Sequence, residues 1–204
     1  MKRTFDLLVS MLLLIILSPL LFIVAIAVYF SVGFPVFFVQ SRVGKHEKII
    51  NLIKFRSMTN ERDTFGNLLP NAERVTSLGS MIRKTSIDEL PSLLNVIRGE
   101  LSLVGPRPLL PHYLKHYKQV HKRRHDVRPG ITGLAQINGR NCTTWNERLD
   151  FDVEYVDNQS FLLDLRIMFL TIMTVLKKES VEGSVDLSIV PLDKDEEYLC
   201  KKKK

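Results

Sequence analysis

Cysteine is nearly missing from this chain: Cys142 and Cys200 are the only two among 204 residues. They form neither a metal nor a redox spacing and cannot build a disulfide framework, so they read as free thiols in a reducing compartment. Internal repeats are lacking too. Basic residues are not interleaved with aromatics as in a recognisable nucleic-acid module, so no nucleic-acid partner is expected. Nor is there room for a second large domain, because this length fits one compact domain plus a short anchor. What the chain does have is positive charge, +7 from 29 Lys and Arg against 22 Asp and Glu. That excess suits an anionic partner, such as acidic lipid headgroups or phosphorylated substrates.

Charge of either sign is absent from Leu7 to Ser41, where Leu, Ile, Val and Phe dominate. A spanning helix needs about 20 apolar residues, so the segment is long enough to enter a bilayer. Ser18-Pro19 sits in its middle. Proline cannot donate to the carbonyl of Ile15, and the Ser18 hydroxyl offers a substitute donor. Each arm is about 17–20 Å long, short of a hydrocarbon core of about 30 Å. Basic residues flank both ends, Lys2 and Arg3 before and Arg42, Lys45, Lys48, Lys54 and Arg56 after. Basic flanks mark the cytoplasmic side. Three topologies fit: a re-entrant hairpin bent at Ser18-Pro19, a proline-kinked spanning helix, and a signal peptide cleaved near Ala25-Ile26-Ala27.

Beyond the anchor, Pro35 to Gln40 and Lys48 to Phe55 predict two strands joined by a turn at Ser41 to Lys45. Thr59 to Asn71 predicts a polar loop. Helical patterns follow at Ala72 to Lys84 and Glu89 to Arg98, and a short one at Pro111 to Lys122. Gly105-Pro106-Arg107-Pro108 and Arg128-Pro129-Gly130-Ile131-Thr132-Gly133 read as tight turns. Phe161 to Leu176 predicts an apolar helix, placed in the core or in the membrane interface.

Thr85-Ser86-Ile87-Asp88-Glu89-Leu90-Pro91 is the most informative soluble stretch. Pro91 favours a first helical turn, which makes Asp88 an expected N-cap and Ser86-x-x-Glu89 a capping box. That structural role would need no chemistry. The same position also suits a nucleophilic carboxylate beside a phosphorylated ligand, provided cations offset the repulsion. Arg83, Arg107 and Arg128 are the candidates, since a guanidinium fork matches phosphate oxygens. A divalent cation between carboxylate and diphosphate is the usual further aid.

Six segments in this order resemble the bacterial sugar transferase family. They are Lys54-Phe55-Arg56-Ser57-Met58, Arg83-x4-Asp88-Glu89-Leu90-Pro91, Leu94-Asn95-Val96, Leu103-Val104-Gly105-Pro106-Arg107-Pro108, Arg128 to Gly133, and Gln136-Ile137-Asn138-Gly139-Arg140. Ser160 to Arg166 agrees as well. The resemblance covers about Lys2 to Lys178 and is nearest to the family's smallest members, the PglC-like monotopic phosphoglycosyl transferases.

The resemblance implies an α+β, mainly helical fold: a single compact domain with a short β-hairpin and an N-terminal re-entrant helix-break-helix. Expected boundaries are 1–34 for the anchor, 35–182 for the catalytic domain and 183–204 for a variable, disordered basic tail. It implies an enzyme of the bacterial cytoplasmic membrane, its active site facing the cytoplasm, with UDP-sugar, polyprenyl phosphate and membrane lipids as partners. Asp88 would attack the β-phosphate and Glu89 would place Mg²⁺ or handle a proton, both carboxylates serving as metal ligands. Arg83, Arg107 and Arg128 would bind phosphate. Other enzymes of a glycan pathway are expected neighbours, and UDP-N,N'-diacetylbacillosamine or another N-acetylated sugar is the expected donor. A non-catalytic adaptor binding anionic lipid is the alternative.

Overall fold

A computed structural model describes residues 1–138, 144–176 and 192–195. The fold is mainly helical, with one antiparallel hairpin and one short parallel strand pair among the described residues. The lysines closing the last long helix, both cysteines, Gly139-Arg140 and the Lys201–Lys204 tail lie outside them.

Helix α1, Lys2–Val32, contains Pro19 without a break in its helical assignment. The expected interruption is therefore repaired locally: Ser18 Oγ donates to Ile15 O at 2.8 Å, the carbonyl that Pro19 leaves without an amide partner. Both ends of α1 dock on the same globular body. At the start, Lys2 Nζ donates to Asp164 Oδ2 (2.6 Å) and Val104 O (3.1 Å), and Arg3 donates to Val96 O and Ile97 O. Asp6 is buried and accepts from Ser102 Oγ at 2.7 Å. At the far end, Val24 and Val28 pack with Phe55 and Ile82. Cleavage near Ala27 would strip this cluster of Val24 and the globular body of its bonds to Lys2, Arg3 and Asp6. Between them, no residue from Met11 to Ile23 is buried, and Ile15, Phe22 and Ile23 are largely exposed. So much exposed apolar surface on one helix is the mark of a membrane protein.

Strands β1 (Phe37–Val43) and β2 (Ile49–Phe55) form the hairpin. β1 runs past the expected turn because Val43 is buried and its amide bonds Leu109 O. The reversal falls instead on Gly44 to Lys48, where His46 and Glu47 adopt positive φ. The predicted helix at Ala72 to Lys84 is two pieces, α2 (Asn71–Arg74) and α3 (Ser77–Lys84). Val75 is drawn into a bridge with Met58, and Thr76 then caps α3 by accepting from Gly79 N.

A six-residue 3₁₀ segment, Ile87–Ser92, leads into α4 (Leu93–Arg98). Next come β3 (Ser102–Val104), α5 (Gln119–Lys122), β4 (Gly130–Thr132), α6 (Leu134–Asn138), α7 (Trp145–Asp157) and α8 (Phe161–Leu176). The expected helix at Pro111 to Lys122 is thus a 3₁₀ segment, Pro111–His116, followed by α5.

Gly130 to Thr132 is a strand where a tight turn was expected. It pairs parallel to β3, and its glycine permits contact between backbones. A Cβ at Gly130 would stand 2.1 Å from Gly105 N, and one at Gly105 would stand 2.4 Å from Arg128 O. The two Gly-bearing motifs are therefore one structure, which seats Arg107 beside the first strand pair.

Helix α8 divides its faces, with one in the core as expected and the other exposed. Ile167 and Asp164 are buried while Leu162, Phe169 and Ile172 are exposed. The tail expected to lack structure holds a docked turn, Leu192–Lys194, with Leu192 buried against Tyr113, Tyr117 and Trp145.

Candidate active site

Asp88 and Glu89 stand inside the 3₁₀ segment rather than at a helix cap. Ser86 precedes it in the left-handed region (φ 56°), an unfavoured conformation for serine, and makes no capping bond through its side chain. The expected capping box does not form, and Glu89 turns to cations instead. Asp88 therefore caps no helix.

The segment is fixed to β2 by side chains that complete the strand's open edge. Ser92 Oγ donates to Ile53 O (2.8 Å), and Asn95 donates to Asn51 O while accepting from Ile53 N. Asn95 thus satisfies backbone groups that a third strand would otherwise take. It brings the dyad over the face of β2 that carries Lys54.

Lys54 Nζ donates to Glu89 Oε1 at 2.6 Å, and Arg107 Nη2 donates to the same oxygen at 3.0 Å. Burial alone would raise the Glu89 pKa, but Arg107 and Lys54 outweigh it and hold the group at about 2. Asp88 has the opposite fate. It is 4% exposed, and its Oδ1 is buried with no hydrogen-bond partner. Burial, joined by the negative charge of Glu89, lifts its pKa to about 6 against the pull of Lys54, Arg83 and Arg107. The two adjacent carboxylates are thus pushed apart, Glu89 toward its charged form and Asp88 toward neutrality.

Arg83, on the last turn of α3, donates from Nε to Ser57 Oγ at 2.7 Å and lies close enough to Asp88 for their charges to interact. Ser57 can approach α3 because residue 79 is glycine, where a Cβ would meet Ser57 O at 2.0 Å. Arg128 points elsewhere: its Nε donates to Gly99 O, at the end of α4, and it is not among the leading charges on the dyad. The sequence alone assigns Lys54 and Ser57 no role. Strand alternation puts Lys54 on the face of Leu52, whereas Ser57 lies past the end of β2.

The arrangement is a buried, partnerless carboxylate oxygen with Arg83 on one side and Lys54, Glu89 and Arg107 on the other. Among the described residues no three His, Cys, Asp or Glu side chains gather as a cage for a metal. A hard cation bound through one or two carboxylates needs substrate phosphates to fill its coordination.

The family model for bacterial sugar transferases matches residues 1–178. EpsL of Bacillus subtilis, described as an uncharacterized sugar transferase, is 53% identical over 182 residues, covering 89% of this chain and 90% of that protein. The exopolysaccharide production protein ExoY of Sinorhizobium fredii is 41% identical, covering 85% of this chain and 84% of its own length. The UDP-glucose:undecaprenyl-phosphate glucose-1-phosphate transferase of Escherichia coli is also 41% identical. There the match takes in 84% of this chain but 39% of the longer relative. Matched across its anchor, its dyad and its arginine-bearing turns, the chain belongs to the bacterial sugar transferase family.

Proposed function

We propose that the protein transfers a sugar-1-phosphate from a UDP-sugar to polyprenyl phosphate through an aspartyl-phosphosugar intermediate. One observation carries the reading: the buried Asp88 Oδ1, unpartnered beside a Glu89 whose Oε1 is shared by Lys54 and Arg107. Burying a polar oxygen without a partner costs about 1–3 kcal/mol, which a fold tolerates where the atom has work to do.

Asp88 attacks the β-phosphorus, a bond forms from its carboxylate oxygen, and the bond from phosphorus to the bridging oxygen breaks. UMP leaves with that oxygen. A phosphate oxygen of the polyprenyl carrier then attacks the same phosphorus, and the Asp88 carboxylate departs unchanged. Arg83 and Arg107 hold phosphate oxygens through both displacements, and Lys54 keeps Glu89 oriented. Asp88 and Glu89 would hold Mg²⁺ together with the substrate's phosphates, and the ion would neutralise charge on them.

The relatives whose names specify a sugar carry glucose or galactose. UDP-glucose, UDP-galactose and N-acetylated UDP-sugars, diacetamido ones included, therefore form the panel for a UMP-release assay. UMP release with at least one of them, and a lipid product only when polyprenyl phosphate is added, is the expected outcome. No UMP from any member would reject the reading. A lipid-binding adaptor would have no use for an unpartnered buried carboxylate, and it would release none.

The first displacement requires ionised Asp88. Its pKa lies above the ordinary carboxylate range, so activity is present above about pH 6 and lost as pH falls through it, tenfold per unit at the acid end. Glu89, at about 2, stays charged throughout and adds no second limb. A UMP burst measured from pH 5 to 8 should rise and level off, whereas a flat profile would contradict the assignment.

The anchor is re-entrant in this reading. A straight helix of 31 residues would be about 46 Å long, yet both ends of α1 make specific contacts with one globular body. A spanning helix would carry that body through the hydrocarbon. Bending at Pro19 instead keeps both basic flanks and the active site on the cytoplasmic face, at the depth of the carrier's phosphate. Cysteines introduced at positions 3 and 45 should label from the same side of sealed vesicles, and opposite-side labelling would reject the hairpin.

A further inference from the structure

Arg42 has no part in the chemistry above, yet it lines the cavity beside Glu89 together with Lys54 and Arg107. Strand alternation accounts for this. Gln40 pairs with Leu52 and Arg42 with Ile50, so Gln40, Arg42, Leu52 and Lys54 all share one face of the hairpin. On that face the Gln40 carboxamide oxygen accepts from both Nε (3.1 Å) and Nη2 (2.6 Å) of Arg42. One edge of the guanidinium is thereby fixed, and Nη1 takes no part in the bond to Gln40.

The charges around the cavity do not balance. Arg42, Lys54 and Arg107 stand against Glu89, whose Oε1 is already shared by Lys54 and Arg107. Among the described residues Arg42 has no carboxylate partner; its bonds go to the neutral Gln40. Burial, with Arg107 nearby, pulls its pKa down to about 10. Confining a guanidinium beside another cation is unfavourable unless an anion joins them, and phosphate oxygens match the fork geometry. Leu52 and Ile131 give the cavity an apolar wall that strengthens such contacts by excluding water.

We propose that Arg42, aimed by Gln40, is a phosphate-binding residue on the Glu89 side of the site, pairing with Arg107 across one phosphate group. The inference rests on the transferase reading, and two substrates could supply that group: the nucleotide phosphate that leaves as UMP, or the phosphate of the lipid carrier. Arg83 and Ser57, on the Asp88 side, then serve the other.

The test uses the full-length protein in detergent, with UMP as the binding probe and KM values for the UDP-sugar and polyprenyl phosphate. Arg42→Gln should weaken at least one of these three by tenfold or more, with Arg42→Lys intermediate because it keeps charge but loses the fork. Weaker UMP binding and a higher UDP-sugar KM assign Arg42 to the donor. A higher polyprenyl phosphate KM alone assigns it to the acceptor. Gln40→Ala, which leaves the arginine in place but unaimed, should move the same parameter at least threefold and serves if Arg42→Gln fails to fold. All three parameters within twofold of wild type, in a folded Arg42 or Gln40 variant, would overturn the proposal. UMP titration in an Asp88→Asn background separates the two levels of inference. Normal turnover with Arg42→Gln sinks this proposal alone. Wild-type protein that releases no UMP sinks the transferase reading, while Arg42-dependent UMP binding would survive it.

Discussion

Asp88→Asn should abolish UMP release and at the same time raise the unfolding temperature. The loss of turnover follows from replacing the nucleophile, for which a drop of at least a thousandfold is expected. The gain in stability follows from the environment. Asp88 is buried, and its pKa of about 6 lies above the value of about 3.9 for an unperturbed side chain. A carboxyl whose pKa is raised by folding penalises the folded state once it ionises. The penalty is absent below about pH 4, grows through the interval up to 6, and is fully present at neutral pH. Removing the charge should recover on the order of 1–3 kcal/mol near pH 7.5, a shift of several degrees for a chain of this size. Unfolding followed at pH 7.5 and pH 4.5 checks the sign, because the advantage of the variant should shrink at the lower pH. A variant both inactive and less stable at pH 7.5 would point to a structural role for Asp88.

The largest loss of stability should come from Asp152→Ala. Arg124 and Asp152 are both buried, and Arg124 donates from Nε (3.0 Å) and Nη2 (2.7 Å) to Asp152 Oδ2. Its remaining bonds go to the Tyr117 hydroxyl and to Arg107 O. Removing Asp152 leaves a buried guanidinium without its counter-charge, which costs about 3–5 kcal/mol. Replacing both partners, Arg124→Met with Asp152→Leu, should recover much of that loss because apolar side chains need no compensation. Activity should not recover in step, because Arg124 also tethers the backbone of the residue that grips Glu89. Chemical denaturation and UMP release on the wild type and both variants separate the two effects. Equal stability in the single and double variants would show that the pair carries no such coupling.

Local chemistry explains which features could be read in the sequence. The repair of Ile15 O by Ser18 follows from two adjacent residues and was legible, as were the hairpin strands and the long apolar helices. Asp88 illustrates the opposite case. Pro91 and Ser86-x-x-Glu89 point to a cap, but Lys54 and Arg107 compete for Glu89 from distant segments, and the cations win. Arg128 to Gly133 resembles a turn because Gly and Pro are common in turns. Here Gly130 is needed for closeness to Gly105, a partner that only the fold reveals. Of the three arginines, Arg83 and Arg107 reach the dyad while Arg128 is taken by Gly99 O. Lys54 and Arg42 were hidden for the same reason: strand alternation gives the face, but not what stands across from it. Helix α7 opens on a Thr144-x-x-Glu147 capping box that is legible in the sequence, whereas the docking of Leu192 against Tyr113 and Tyr117 depends on long-range packing.

The central claim is that one carboxylate becomes bonded to phosphorus midway through turnover. Protein mixed with Mg²⁺ and its UDP-sugar, without polyprenyl phosphate, and quenched at once should gain the mass of one sugar phosphate. Peptide mapping should place that mass on Asp88, and adding the lipid carrier before the quench should remove it. UMP released in step with lipid product, from protein whose Asp88 is unmodified at every time point, would contradict the account.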